Sequence, residues 1–423
     1  MSSTEAITQS GPDESDTRTV TDRRNLLVLG FALFVVTLGF GVVMPIIPFY
    51  MERFGAGGTE LGLLVAAYAI MRLFFGPIWG GVSDRVGRKP ILMLGILGYG
   101  IAMVGFGLAT ALWMMFAARI LSGVLSSATS PTTMAYIGDS TSEEDRSQGM
   151  GLLGAAAGLG TIFGPALAGV LANRSLSTPF FVAGALSLVA LLLVRLLLPE
   201  SLPESKRRKS GEPGWDPRAL GRSLFSPVGP LMVLIFIVTA GSMIMYGVIG
   251  LYALDRFDAG TTEVGVIFAV LGLFMAVGQG LLVGPLTKKF GDLRATQVGF
   301  LASAASLLIV MWAGSYVMLV ASIGLFALCS SPLIPAVTSI TSKRAVLSQG
   351  VTMGLSNSFI SLGRIFGPAL GGIVFDVDAA LPFMCGSAVM VVGWLVAARW
   401  VEATPESRPP RGADALLLEH TDR

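Results

Sequence analysis

The chain has 423 residues and a formal net charge of +2, with 53% hydrophobic and only 13% charged residues. A mean hydropathy of +0.73 and repeated apolar runs of about 20 residues exclude a single soluble core and imply a polytopic membrane protein. No nucleic-acid partner is expected, and the informative property of the cations is where they lie.

Residues 1–24 are polar with no apolar segment before a cleavage site, and are expected to be a disordered cytosolic arm and not a signal peptide. Apolar runs long enough to span a bilayer follow at about 25–50, 60–82, 90–109, 111–137, 147–172, 179–198, 229–254, 262–287, 293–312, 315–341, 348–375 and 379–400. The fold class is therefore an all-α membrane protein with twelve transmembrane helices. Segment 199–228, with Pro199, Pro203, Pro213 and Pro217 around Lys206-Arg207-Arg208-Lys209, reads as a cytosolic linker between six-helix bundles at 25–198 and 229–400. Residues 401–423 read as a cytosolic tail.

If both termini are cytosolic, the cytosolic segments together with the adjoining span ends, which carry Arg195, Arg294 and Arg399, hold 23 of the 29 Lys and Arg residues and the outer loops hold only Arg53, Arg174 and Arg256. That asymmetry sets the orientation and supports the helix count, because one missed span would invert every later loop. The protein is expected in the cell membrane, as a monomer.

The two bundles are repeats. Glu52 to Gly62 returns as Asp255 to Gly265, at an offset of 203 with seven of eleven residues identical. Leu159-Gly160-Thr161-Ile162-Phe163-Gly164-Pro165-Ala166-Leu167 returns at the same offset as Leu362-Gly363-Arg364-Ile365-Phe366-Gly367-Pro368-Ala369-Leu370. Parallel repeats about an axis along the membrane normal place a cavity between the halves near mid-bilayer.

Between the second and third runs lies Gly76 to Pro90, containing Gly80, Gly81, Asp84, Arg85, Gly87, Arg88 and Lys89. Gly87 is expected to supply a positive-φ turn, Gly80 and Gly81 to let a helix end approach a neighbour, and the three cations to hold the loop in the cytosol. Asp139, at the end of the fourth span beside Glu143-Glu144-Asp145-Arg146, is expected to pair with Arg85 or Arg88 in one transport state. Pro45 and Pro48 at the end of the first span read as a hinge or gate. Gly160, Gly164 and Pro165 in the fifth span, and Gly367 and Pro368 in the eleventh, read as close helix packing with a bend.

These stretches resemble the major facilitator superfamily and, within it, the twelve-span drug:proton antiporters. The pattern Gly-x-x-x-Asp-Arg-x-Gly-Arg-Lys is similar to the superfamily's signature loop. Leu38 to Pro48 and Gly151 to Gly169 are similar to two antiporter motifs, with Ala168 in place of one glycine. The resemblance implies that Asp84 and the loop arginines latch the two halves together, and that Arg119 of Arg119-Ile120-Leu121-Ser122-Gly123 takes part in proton transfer. A structural role for Arg119, bonded to helix-end carbonyls, is the alternative.

A buried guanidinium costs at least about 2.5 kcal/mol, so Arg119, Arg72 and Arg364 are expected to face the cavity. Tyr68, one turn from Arg72, Gln279, Asn357 and Tyr246 are the other polar groups deep enough to line it. No Asp or Glu lies mid-span: Asp84 and Asp139 sit at the inner edge, and Glu52, Glu60, Asp255 and Glu263 at the outer. His420 is in the tail. Cys329 and Cys385 lack metal-ligand or disulfide spacing and read as packing residues. No metal, cofactor or catalytic set is expected.

Two functions follow. One is a secondary transporter working by alternating access, exporting small drug-like organic molecules against inward proton flow. The other is a facilitator or exchanger of organic anions with no proton site. A non-transporting sensor would require a sizeable soluble domain, and an enzyme a nucleotide loop or catalytic set, neither of which the sequence offers.

Overall fold

The computed structural model describes residues 23–141, 143–207, 228–344 and 349–401. The arm up to residue 22, linker residues 208–227, including Arg208 and Lys209, and tail residues 402–423, including His420, lie outside the described residues.

Twelve helices are long and apolar enough to cross a membrane: α1 Arg23–Phe54, α2 Gly58–Val86, α3 Arg88–Gly107, α4 Leu112–Ser140, α5 Gln148–Ala172, α6 Thr178–Leu197, α7 Gly229–Phe257, α8 Thr261–Leu281, α9 Val283–Met311, α10 Tyr316–Lys343, α11 Thr352–Phe375 and α12 Leu381–Trp400. A helix satisfies its backbone donors and acceptors internally, which is what a hydrocarbon solvent demands. The described residues contain no strand.

The expected spans differ from these mainly at the eighth and ninth, read from sequence as 262–287 and 293–312. The helix breaks instead at Leu282 and resumes through Val283–Met311, turning sharply at Gly291 with φ 76° and ψ 159°. Pro285 accounts for the break, because it has no N–H to offer the carbonyl of Leu281 and its ring crowds that turn. Two further turns interrupt spans at matching places, between Ser126 and Thr129 in α4 and between Ser330 and Leu333 in α10.

Each half is built on one tight helix pair whose contact is made by glycine. In the first half α1 lies on α5. A Cβ on Gly160 would fall 2.1 Å from Thr37 Oγ1, and one on Gly164 would fall 2.4 Å from the carbonyl oxygen of Leu38. In the second half α7 lies on α11, with Gly363 against Thr239, Gly367 against the Ala240 carbonyl and Gly371 against that of Ile244. Small residues thus set the backbone separation in both repeats, as in other membrane helix pairs.

The halves meet chiefly along α2–α11 and α5–α8, with a smaller contact of α1 on α7, and only toward one end. Gly58 packs on Gly372, Gly62 on Pro368, Gly169 on Gly265, and Pro48 on Gly250. Toward the other end, Gly76, Gly80 and Gly81 of α2, Gly151, Gly154 and Gly158 of α5, Gly280 of α8 and Gly354 of α11 have no atom within 4 Å of where a Cβ would stand. The expected close approach at Gly80 and Gly81 is therefore not made. The molecule is sealed at the end carrying Gly57 and parted at the end carrying Gly87, so those glycines face open space.

Candidate functional site

Tyr68 of α2 is the hub of the polar cluster where the halves begin to part. Its hydroxyl lies 3.4 Å from Ser126 Oγ of α4. The guanidinium carbon of Arg119 stands 4.8 Å from its ring centroid and 5.9 Å from that of Phe40 on α1. Arg119 is only 1% exposed, and its Nε and one terminal nitrogen have no hydrogen-bond partner. Stacking of a desolvated cation on aromatic faces is worth about 2 kcal/mol, well short of replacing the hydration of the three N–H groups on those two nitrogens. Tyr99 of α3 reaches the same pocket, and a Cβ on Gly39 would fall 1.1 Å from its hydroxyl, so α1 needs glycine there.

One turn from Tyr68, Arg72 donates to Ser130 Oγ at 3.4 Å. Arg364 arrives on α11, part exposed, with its Nε buried and unpartnered, and lies within electrostatic range of both Arg72 and Tyr68. Among the described residues none of the three arginines has a carboxylate partner. Asn357 and Gln279 are exposed on the parted stretches of α11 and α8, outside this cluster. Asn357 shares its helix face with Arg364, seven residues on. Tyr246 packs edge-on against Phe326 within the second half, its hydroxyl buried without a partner.

At the parted end, Gly87 has φ 117°, the positive-φ turn its position calls for, and ends α2 by donating to Ser83 O at 3.1 Å. Arg88 turns inward and is only 7% exposed. It bridges Asp84 at 2.5 Å and Asp139 at 2.8 Å and donates to Ser83 Oγ at 2.7 Å. The backbone N–H groups of Arg88 and Lys89 donate to Glu200, which caps the start of α3. Arg88, and not the exposed Arg85, is thus the partner of Asp139. These contacts stay within the first half and the start of the linker, and none reaches the second half.

The sealed end is bolted at two related points. Asp376, just past α11, accepts from the N–H groups of Gly58 and Thr59 at 2.6 and 2.8 Å and from the Thr59 hydroxyl at 2.5 Å, capping α2 of the other half. Asn173, just past α5, donates to Thr262 at 2.8 Å and accepts from Thr261 at 2.9 Å at the start of α8. Burial pushes the Asp376 carboxyl up, but the bonds from the Thr59 hydroxyl and from the Thr59 and Gly58 amides outweigh it and hold it below the ordinary carboxylate value.

Two halves of six spans, parallel repeats and a polar apex between them describe a carrier fold, and the comparison with family models agrees. The Major Facilitator Superfamily model matches residues 29–297 and again 231–419. The chain belongs to the Major Facilitator Superfamily. It is similar to "Multidrug resistance protein 2" of Bacillus subtilis (strain 168), at 31% identity over 91% of this chain and 97% of that one. It is also similar to "Quinolone resistance protein NorA" of Staphylococcus aureus (strain MSSA476), at 26% identity over 88% and 95%. Among solved structures, a bacterial homologue of the human lysosomal transporter Spinster, in an inward-facing and occupied conformation, superposes with a TM-score of 0.73 at 13% identity, over 90% of this chain and 96% of that one. The chain is a membrane transporter and not an enzyme.

Sequence reasoning missed Tyr99, Ser126 and Ser130, since a lone Tyr or Ser in an apolar run carries no spacing signal. It also missed Asp376 and Asn173, which the offset of 203 that aligns Gly160 with Gly363 also aligns with each other.

Proposed function

We propose that the protein exports small drug-like organic molecules across the cell membrane by alternating access, driven by inward proton flow. The observation that carries the reading is a pair of homologous halves sealed at one end and parted at the other, with Tyr68, Arg72 and Arg364 at the apex of the parting and Arg119, expected to face the cavity, buried behind them among α1–α4. This is one of the two end states that alternating access requires. The distribution of Lys and Arg supports a cytosolic position for the parted end and both termini, with the cavity loaded from inside. The names of the relatives support a drug-like substrate. Asp84, Gly87, Arg88 and Asp139 act as the inner latch, and Gly160, Gly164, Pro165, Gly367 and Pro368 as the packed pivots of the two halves. The protein works as a monomer, with one cavity per chain.

A second reading, carriage of organic anions without a proton site, is favoured by the three arginines and the lack of a carboxylate beside them among the described residues. Proteoliposomes with an imposed pH gradient, assayed for movement of a quinolone, ethidium and an organic sulfonate, test both. Movement that collapses with the pH gradient supports proton coupling, movement of the sulfonate indifferent to it supports the second reading, and absence of any movement refutes transport.

A further inference from the structure

We infer that Arg72 and Arg364 form a subsite for the anionic group of the transported molecule, a carboxylate, sulfonate or phosphonate, clamped between the two halves of the protein. The inference rests on the transport reading and adds the substrate's charge and its place of binding.

Three observations converge. First, the charge is uncompensated: among the described residues Arg72 meets only hydroxyls, those of Ser130 at 3.4 Å and of Tyr68, Arg364 keeps a buried Nε without a partner, and Arg119 behind them keeps two such nitrogens. Guanidinium groups in a low-dielectric site repel one another and any cation brought among them, and attract an anion strongly. Planar N–H pairs also match carboxylate and sulfonate oxygens in a bidentate way.

Second, the architecture does not need these arginines. The repeat places Thr161 at the position of Arg364, Met275 or Ala276 at that of Arg72, and Ile323 at that of Arg119. The α5–α8 seam, which carries the uncharged counterparts of Arg364 and Arg72, still brings its helices together, with Gly169 on Gly265 and Gly272 on Ile162. Charge was therefore added to one side of a symmetric frame, and packing does not explain it.

Third, the two arginines come from opposite halves. Helices α2 and α11 run antiparallel from their contacts at Gly58–Gly372 and Gly62–Pro368, and Arg364 and Arg72 follow just beyond the crossing, where the halves start to part. Repulsion between them favours the parted arrangement, and an anion seated between them removes it. Binding would then promote closure of the cytosolic end, which ties occupancy to the transport step. An anion carried outward also moves down an inside-negative membrane potential, so a mid-membrane carboxylate is not required to drive its export.

The test uses two permanently charged probes on one aromatic body, naphthalene-2-sulfonate and (2-naphthyl)trimethylammonium, with binding to the purified full chain measured by calorimetry. The sulfonate is expected to bind at least tenfold more tightly than the cation. Arg364→Gln and Arg72→Gln should each weaken sulfonate binding at least tenfold and change cation binding less than threefold, while Arg364→Lys should keep sulfonate binding within a few-fold of wild type. In proteoliposomes, an inside-negative potential should accelerate sulfonate efflux.

Equal losses for both probes, or tighter sulfonate binding in Arg364→Gln, would overturn the subsite. Wild-type protein that transports the cation but does not bind the sulfonate would overturn it while leaving the transport reading standing. Movement of neither probe nor a quinolone under any gradient would overturn both. The wild-type comparison and the lysine variant keep the test decisive if a glutamine variant misfolds.

Discussion

Arg88 bridges Asp139 at 2.8 Å, and 204 residues on (88 to 292, 139 to 343) Asp292 and Lys343 make the same bridge at 2.7 Å with the charges exchanged. The third position follows suit, since Lys288 stands where the first half has Asp84. The geometry of the bridge is thus a property of the repeat, and its polarity is not. Arg88→Asp alone would set a carboxylate against Asp84 and Asp139, losing charge-assisted bonds worth about 1.5–3 kcal/mol each and adding repulsion. It should lower the melting temperature of the purified protein by several degrees. Combining it with Asp84→Lys and Asp139→Lys, which copies the second half, should recover most of that loss. A triple variant no more stable than Arg88→Asp would show that the polarity, too, is required for folding.

The α1–α5 contact allows a sharper prediction within one helix. A Cβ on Gly164 would meet backbone atoms, the Leu38 carbonyl oxygen at 2.4 Å and the Gly41 Cα at 2.8 Å, and neither can move aside as a side-chain end would. Overpacking typically costs about 1–3 kcal/mol, and rigid neighbours place Gly164→Leu at the upper end. Export by Gly164→Leu is expected to fall more than tenfold, with the protein still inserted. Gly151→Ala, thirteen residues earlier on the same helix and facing nothing within 4 Å, should stay near wild type. Similar rates for the two variants would mean that α5 does not pivot on α1.

That contrast also marks how far the sequence could be read. Glycine spacing in the fifth and eleventh spans was legible, because close packing needs small residues at fixed intervals, and the repeat offset then predicted the same contact in both halves. Which partner each glycine touches was not legible, nor that Gly80 and Gly81 face open space, because that depends on the position of one half relative to the other. The Arg88–Asp139 bridge was legible as a choice between two arginines. Only the turn at Gly87, which sends Arg88 inward and Arg85 outward, decides between them. The central arginines stood out as charges in apolar runs, whereas Tyr99, Ser126 and Ser130 are placed by tertiary packing alone.

The bolts at the sealed end differ in one respect that pH reveals. Asp376 carries a charge, and its counterpart Asn173 does not. Because the pKa of Asp376 is held below the ordinary value, its caps on Gly58 and Thr59 contribute fully above the ordinary carboxylate range and are lost as pH falls through the lowered value. The outer end is therefore expected to open more readily below about pH 4. Loss of a helix cap costs about 1 kcal/mol, less for an exposed group, so Asp376→Ala should shift the closed-to-open ratio by up to about fivefold. Asp376→Asn, copying Asn173, should keep most of the closure and lose its pH dependence. Distances between spin labels on the outer ends of α2 and α11 report the ratio, and an acid-induced opening that survives in Asp376→Asn would assign the effect to another group.

Helices α2 and α11 are antiparallel, and the cap at the sealed end has a potential twin at the parted one. Asp376 stands just past the C-terminal end of α11 and caps the start of α2. Asp84 stands in the last turn of α2, at the end of the pair where α11 starts. In the parted state Asp84 is held at home by Arg88 at 2.5 Å, with its side chain 33% exposed. In the alternating-access cycle proposed above, closure of the parted end is expected to bring the start of α11 toward Asp84, and a carboxylate at a helix N-terminus is favourable by about 0.3–1 kcal/mol, up to about 2 kcal/mol where partly buried. Asp84→Asn should then disfavour only the closed-inside state. Transport is expected to slow several-fold while substrate affinity measured from the cytosolic side stays within about twofold of wild type. Loss of affinity with an unchanged turnover of occupied protein would place Asp84 in the binding site and remove it from the latch.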